Sequence, residues 1–365
     1  MSDNESEDLD GNEAELDDEN YGEQPAADED DEFAHQMSYS SYQMFVFVSC
    51  YVAYSIMLYN RKAFTFTLPH IIMEEYYSSY EIGMILGAQT MTYTLSRFFS
   101  SWATDVFPPR LMLVAGLFLT GFVTLAFSDQ EDWSNIMILC AANGLFQGVA
   151  WPAVTKLIRS WFPKDENLPV NFGLWYAMLA SAANLIGALG PGLANALANA
   201  QGWRLGIQIP ALVALIASPV AYFTIWDTPA MAGYEVEFNN GKKKGHWSDL
   251  AGNDFMMLLV AVSFMLFVVK TCCQDWGHIY LLQERGVPES IAESYMVSME
   301  IGGFLGTIFL GAVTDFMTRN GFYEGTNISP RMVPVQACVA GSAMFLNLFI
   351  FIMDSTTSKV CGLKI

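Results

Sequence analysis

Long apolar segments alternate with short polar connections along most of this chain. A helix that spans a membrane needs about 20 largely apolar residues, and nine segments of the sequence reach that length. They lie near residues 43–71, 82–106, 111–128, 135–161, 171–199, 205–226, 254–283, 291–316 and 332–353. The pattern therefore predicts an all-α polytopic membrane protein.

The apolar segments also repeat. Arg61 and Lys270 hold equivalent places in the first and seventh segments and are 209 residues apart. Asp105 and Asp315 close the second and eighth segments and are 210 residues apart. Because internal repeats of this kind are common in secondary transporters, the spacing predicts a protein built from two related halves.

The repeat defines the expected domains. We predict a tail over 1–40, an N-terminal six-helix half over 41–227, a cytosolic central loop over 228–252 and a C-terminal half over 253–365. Repeated halves carry equal sets of helices, so the second half, with about three, is expected to lack about three more.

Charge is concentrated at the start of the chain. Residues 1–36 contain 16 of the 38 acidic residues and no Lys or Arg. Such a segment buries too little apolar surface to offset the entropy of ordering, which predicts a disordered tail. Basic residues cluster in the loops on the side of the membrane where the tail lies, and this distribution predicts a cytosolic N-terminus.

Cations inside apolar helices are the candidates for a binding site, because each is costly in a membrane unless it pairs or lines an aqueous cavity. Arg61, Lys62 and Lys270 are such cations. A guanidinium offers a planar fork to phosphate oxygens, and an ammonium offers a point charge. Arg61 and Lys270, at matching depth in the two halves, predict a phosphate site. A structural pair or a snorkelling side chain stays open for Arg61, and a place at the rim for Lys62.

Other residues are candidates for the cavity or for gating: Asp275, Glu300, Gln147, Trp151 and Asn184. For the two acids, a structural ion pair and a role in coupling are both open, and Asp275 could pair with Lys270. Gln147 and Trp151 share a segment with Gly144 and Gly148, whose spacing predicts close helix packing. Pro152 predicts a bend in the same segment.

The sequence shows no chemistry typical of an enzyme. Its six cysteines and four histidines have no metal-ligand or redox spacing. A Gly-rich phosphate loop, a nucleophile elbow and a paired-His motif are also absent from the sequence. We therefore expect a transporter with no cofactor, no metal and no nucleic-acid partner.

Five stretches resemble the organophosphate:phosphate antiporter family of the major facilitator superfamily and, within it, the glucose 6-phosphate translocases of the endoplasmic reticulum. They are YNRKAFTFTLPHI, NGLFQGVAWPAVTKLIRSWF, NLIGALGPGLA, VVKTCCQDWGHIYLLQERG and SYMVSMEIGGFLGTIFLGAVTD, within a similarity over roughly 40–353.

The resemblance implies a major facilitator fold of two six-helix halves, of which about nine helices are present. It also implies exchange of a sugar phosphate, most specifically glucose 6-phosphate, for inorganic phosphate by alternating access. Arg61, Lys62 and Lys270 match the cationic phosphate site of the family, and Asp275 and Glu300 match acids near that site. The expected partners are the sugar phosphate, inorganic phosphate and the bilayer of the endoplasmic reticulum, with no oligomer required.

The sequence departs from the family in three ways. Ser101 stands where a glycine is usual, and Ala183 replaces a histidine of the glycerol-phosphate members. The sequence also predicts nine helices, whereas the family has twelve. Two alternatives stay open. The chain could be a transport-incompetent truncated isoform or gene-model fragment, because alternating access needs both halves. It could also exchange glycerol 3-phosphate or another organophosphate, since Arg61 and Lys270 specify the phosphate and not the sugar.

Overall fold

A computed structural model describes residues 38–75, 77–162, 172–234, 252–273, 277, 280–281, 285–322 and 332–360. The α-helices with defined bounds in these ranges are α1 Tyr39–Glu75, α2 Ser79–Val106, α3 Pro109–Ser128, α4 Trp133–Gln147, α5 Ala150–Trp161, α6 Phe172–Gln201, α7 Trp203–Thr224, α8 Asp254–Thr271, α9 Glu289–Arg319 and α10 Met332–Val360. A short 3₁₀-helix, Pro229–Ala232, follows α7. Nearly all of the predicted tail, most of the predicted central loop and Asp275 lie outside the described residues.

The predicted all-α membrane fold is confirmed. Every predicted segment corresponds to a helix, and the fourth is divided into α4 and α5. Seven described stretches are long and apolar enough to cross a membrane, and α4 with α5 counts as one of them. Helices α2 and α8 are not in that set. Helix α2 carries a run of Thr and Ser residues together with Arg97, and α8 is apolar but only 18 residues long.

By their contacts the residues form two units, Met1–Tyr42 and Gln43–Ile365. Of the first unit, the described part is residues 38–42, where α1 begins. The second unit contains the rest of α1 and all later helices. Within it, α2 packs on α4, α3 packs on α4, α5 and α7, α6 packs on α7, and α9 packs on α6.

The fourth segment is interrupted close to Pro152, where the sequence predicts a bend. Helix α4 ends at Gln147, and Gly148 and Val149 separate it from α5. Pro152 has no N–H, so the carbonyl of Gly148 has no donor four residues later. The Ser100 hydroxyl of α2 donates to that carbonyl at 3.1 Å. The carbonyl left without a partner at the break therefore accepts a hydrogen bond from a neighbouring helix.

The predicted close packing at Gly144 and Gly148 is confirmed as well. A methyl group on Gly144 would lie 2.3 Å from the carbonyl oxygen of Gln89, and one on Gly148 would lie 2.9 Å from the amide nitrogen of Arg97. The absence of side chains at these glycines lets the fourth segment contact the main chain of α2 directly.

Helices α6 and α9 pack antiparallel through small residues. A methyl group on Gly311 would lie 2.5 Å from the Ala177 side chain. At the start of α6, the buried Asp315 carboxylate accepts hydrogen bonds from the main-chain N–H groups of Gly173 and Leu174, at 3.2 and 2.7 Å. A carboxylate is well suited to this place, because the first amides of a helix lack intrahelical acceptors and carry partial positive charge.

Helices α8 and α10 differ from the others in exposure. Most of the described side chains of α8 are exposed, although the helix is almost entirely apolar. None of the candidate span in α10, Met332–Ile352, is buried. Apolar surfaces of this kind suit contact with lipid or with other helices.

Candidate anion site

Arg61 lies where α1 is fastened to α7. The Tyr59 hydroxyl donates to the Gly206 carbonyl at 3.5 Å, and the Asn60 side-chain amide donates to the Pro210 carbonyl at 3.1 Å. The Gly206 carbonyl needs such a donor, because Pro210 has no N–H to offer it. Two consecutive residues of α1 thus hold the helix on α7, immediately before Arg61.

The Arg61 side chain extends to α2. The carbon at the centre of its guanidinium lies 4.3 Å from the centre of the Tyr93 ring. Arg97, one turn further along α2, donates from Nη1 to the Tyr93 hydroxyl at 2.9 Å and lies 5.9 Å from the same ring. Two guanidinium groups from two helices therefore meet at Tyr93.

An aromatic wall adjoins this pair of cations; we use the term for Trp151, Tyr54 and Tyr176. The Arg97 guanidinium lies 5.5 Å from the centre of the Trp151 ring. The Trp151 ring in turn contacts Tyr54 at 5.5 Å and Tyr176 at 5.4 Å, centre to centre. Tyr54 is close enough to Arg61 and Arg97 to interact electrostatically with both. The arrangement places rings beside two positive charges.

The two cations have no carboxylate partner in the part of the chain that the structure describes, where the ion pair found joins Lys156 to Asp105. The Nε of Arg61 is buried and has no acceptor among these residues. Two half-buried guanidinium groups without anions are costly inside a membrane protein. An anionic ligand that accepts hydrogen bonds from both would remove much of that cost.

The other predicted cations lie elsewhere. Lys62 is half-buried, with its Nζ 6.0 Å from the centre of the Phe66 ring. Lys270 is exposed in the last turn of α8, and the described residues give it no hydrogen bond or ion pair, either with Arg61 or with another side chain. The structure therefore brings Arg61 together with Arg97 and not with Lys270.

The remaining predicted residues fall into two groups. Glu300 and Asn184 lie between α6 and α9: a methyl group on Gly187 would be 2.4 Å from the Glu300 carboxylate, and one on Gly303 would be 3.0 Å from the Asn184 oxygen. Gln147 is 1% exposed, and its Oε1 has no donor among the described residues. It precedes Trp151 by one helical turn, although the break between α4 and α5 separates the two.

Sequence reasoning missed Arg97 and Tyr93. A signal was present, because Arg97 lies inside the predicted segment 82–106 and is subject to the same cost as Arg61. Tyr93 precedes it by four residues, which puts the two side chains on one face of a helix.

A family model described as the Major Facilitator Superfamily matches residues 50–361. The match covers most of the chain, and the chain belongs to this superfamily.

Individual curated relatives have more specific names than the superfamily. The chain is 25% identical over 306 residues to a probable hexose phosphate transport protein of Chlamydia trachomatis, covering 77% of this chain and 66% of that protein. It is 26% identical to the membrane sensor protein UhpC of Salmonella typhimurium, covering 76% of this chain and 65% of that protein. It is also 26% identical to the glycerol-3-phosphate transporter of Bacillus subtilis, covering 76% and 66%. The chain thus spans about two thirds of the length of these relatives.

Proposed function

We propose that this protein is a secondary transporter, and not an enzyme, that carries an organophosphate across an intracellular membrane. The observation that carries the proposal is the meeting of Arg61 and Arg97 at Tyr93 without a carboxylate among the described residues. A phosphate monoester has enough oxygens to accept hydrogen bonds from both guanidinium groups, and such bonds are short and strong.

The aromatic wall favours a sugar phosphate over glycerol 3-phosphate. Trp151 and Tyr176 are only half-buried beside Arg97, and the C–H face of a hexose ring can stack on aromatic rings of this kind, whereas Tyr54 is buried behind Trp151. Glycerol is too small to cover them. Relatives named for hexose phosphate and for glycerol 3-phosphate are about equally similar to this chain, so the preference for a hexose phosphate depends on the rings. Glucose 6-phosphate is proposed as the hexose phosphate from the resemblance of the sequence to the glucose 6-phosphate translocases.

Inorganic phosphate is the proposed counter-substrate, because the two guanidinium groups bind the part that phosphate and sugar phosphate share. Alternating access would then exchange one for the other. Lys62 and Lys270 are proposed as further cations of the site, and Lys270 would join it from the second half. We place the protein in the endoplasmic reticulum with a cytosolic N-terminus.

Uptake into proteoliposomes tests this proposal. Vesicles loaded with inorganic phosphate should accumulate labelled glucose 6-phosphate, and external glycerol 3-phosphate should compete weakly. Loss of a hydrogen bond to a charged group is typically worth 1.5–3 kcal/mol, so Arg61→Gln and Arg97→Gln should each weaken apparent affinity by about 10- to 100-fold. Arg204→Gln is the matched control, because Arg204 also lies beside an aromatic ring, 4.7 Å from Trp203, but at the start of α7 and not on α1 or α2.

Normal uptake by Arg97→Gln would remove Arg97 from the site. Stronger competition by glycerol 3-phosphate than by glucose 6-phosphate would overturn the preference for sugar phosphates.

A second candidate is a membrane protein that binds the sugar phosphate without transporting it. The similarity to a protein named a membrane sensor favours this alternative. Saturable binding of glucose 6-phosphate to purified protein, together with no uptake into vesicles, would support the sensor and exclude the transporter.

A further inference from the structure

We infer that Gln89 is a positioning residue for the anion site, because its side-chain amide holds the main chain of Arg61 against α2. Asn143 in turn holds that amide in one orientation. The inference rests on the proposed function, since it concerns how Arg61 is presented to the phosphate group.

Gln89 uses its amide nitrogen for two contacts. Its Nε2 donates to the Arg61 carbonyl at 2.9 Å and to Asn143 Oδ1 at 3.1 Å. The side chain is 5% exposed, so water is a weak competitor for these bonds. The amide group has two hydrogens, and the two acceptors use both.

The orientation of the Gln89 amide is fixed by a chain of donors and acceptors. The Thr124 hydroxyl donates to the Thr120 carbonyl at 2.7 Å, so its oxygen is an acceptor for Asn143 Nδ2, also at 2.7 Å. Asn143 must then turn its oxygen toward Gln89. Gln89 consequently presents its NH₂ group, and not its carbonyl, to Arg61.

The same face of α2 holds Arg61 at two points. Gln89, Tyr93 and Arg97 follow each other at intervals of four residues, which places them in one row along the helix. Gln89 binds the main chain of Arg61, and Tyr93 contacts its guanidinium. The row therefore sets both the position and the direction of the Arg61 side chain relative to Arg97.

Satisfaction of the Arg61 carbonyl alone does not require Gln89. Within an α-helix this carbonyl already accepts from the N–H group four residues later. The additional donor therefore acts on position, and its contact is with the residue that carries the guanidinium. Asn143 and Thr124 are each buried, and their side-chain hydrogen bonds connect them to each other and to Gln89, so they act through Gln89.

The test uses uptake of labelled inorganic phosphate into phosphate-loaded proteoliposomes. Gln89→Met keeps the side-chain length and removes the donor, and we expect KM to rise about tenfold while kcat changes much less. Ser218→Ala is the matched control, because it removes another buried hydrogen bond between helices, from Ser218 to the Val114 carbonyl at 3.0 Å. This control should lower the thermal midpoint and leave KM unchanged.

A double-mutant cycle separates positioning from general loss of packing. If Gln89 acts through Arg61, Gln89→Met should have little further effect on KM in the Arg61→Gln background. Equal effects in both backgrounds, or an unchanged KM for Gln89→Met, would overturn the inference. Should Gln89→Met fail to fold, Thr124→Val takes its place in the cycle with an expected rise in KM of about twofold to threefold.

A measurement that does not depend on transport distinguishes failure of the proposed transport function from failure of the positioning role of Gln89. Phenylglyoxal labels arginine side chains, and peptide mass spectrometry reports the labelling rate of Arg61 in the wild-type protein and in Gln89→Met. A changed rate with no phosphate uptake by the wild type would reject the proposed transport and retain the positioning role. An unchanged rate would reject the positioning role, whatever the uptake shows.

Discussion

Helices α2 and α9 occupy equivalent places in the two halves that the sequence repeat predicts, yet their final aspartates have different surroundings. Asp105 of α2 is 78% exposed at its side chain and pairs with Lys156 at 3.2 Å. Asp315 of α9 is 6% exposed and accepts two hydrogen bonds from the first amides of α6. One carboxylate lies at a surface, and the other joins helices from both predicted halves. The same residue in a repeated sequence therefore has its role assigned by its neighbours.

The residues that precede these two aspartates along α2 and α9 have side chains of different sizes. An offset of 210 residues pairs Tyr93, Arg97 and Ser101 of α2 with Gly303, Thr307 and Gly311 of α9. The small residues let α9 approach α6 closely, whereas the large ring and guanidinium of α2 contact Arg61 and form part of the candidate anion site. Side-chain size at equivalent positions thus decides whether a helix face packs or binds.

Replacing Gly144 with leucine should cause the largest loss of stability among these variants, because the new side chain would separate α2 from the fourth segment. Even the first carbon of the new side chain would overlap the Gln89 carbonyl oxygen at 2.3 Å. We expect a loss of stability of about 3 kcal/mol or more, seen as a lower thermal midpoint or as failure to purify a folded protein. Gly87→Ala is the control, since a methyl group there meets no atom within 4 Å. Equal behaviour of the two variants would contradict the packing.

Gly311→Leu is the equivalent test on α9 and should have the next largest effect. The added side chain would meet Ala177 at 2.5 Å and force α9 away from α6. We expect a loss of stability of about 2 kcal/mol, measured as a shift of the thermal midpoint in detergent. Gly306→Leu lies on the same helix in open space and should change little. A larger effect of Gly306→Leu would place the α6–α9 contact on another face.

Asp315→Asn should have an intermediate effect. The amide oxygen keeps an acceptor for the α6 amides, but the favourable interaction of a negative charge with the helix N-terminus is lost. Such interactions are worth about 1 kcal/mol in partly buried places. The measurement is the free energy of unfolding in mild denaturant, compared with Asp315→Glu, which keeps the charge. No difference between the two variants would show that charge at this place is unimportant.

Asp105→Asn should have the smallest effect. Its pair with Lys156 is largely exposed, and pairs of this kind contribute between zero and about 1 kcal/mol. We expect a change within about 0.5 kcal/mol that disappears at high salt. A loss of stability as large as that of Asp315→Asn would mean that the two aspartates contribute equally to stability despite their different exposure.

Much of the fold was predictable, because membrane helices follow from local composition. The nine apolar segments, the interruption near Pro152 and the close packing at Gly144 and Gly148 were each visible in consecutive residues. The site was only partly predictable. The sequence named Arg61 and Trp151 as candidates, and both belong to the cluster around Arg97, which was passed over. Lys270 was expected to face Arg61 from the second half, and this expectation stays a prediction.

By itself, the sequence determined that this chain is a helical membrane protein with internal repeats and a cation deep in its first segment. Apolar length and charge cost are local properties, and they act on each segment alone. The tertiary structure decided which side chains meet. Tyr93, Arg97 and Gln89 come together with Arg61 because hydrogen bonds hold α1 on α7 and two glycines of the fourth segment let it pack closely on α2. Contacts across helices depend on the register of whole helices, which no single segment encodes.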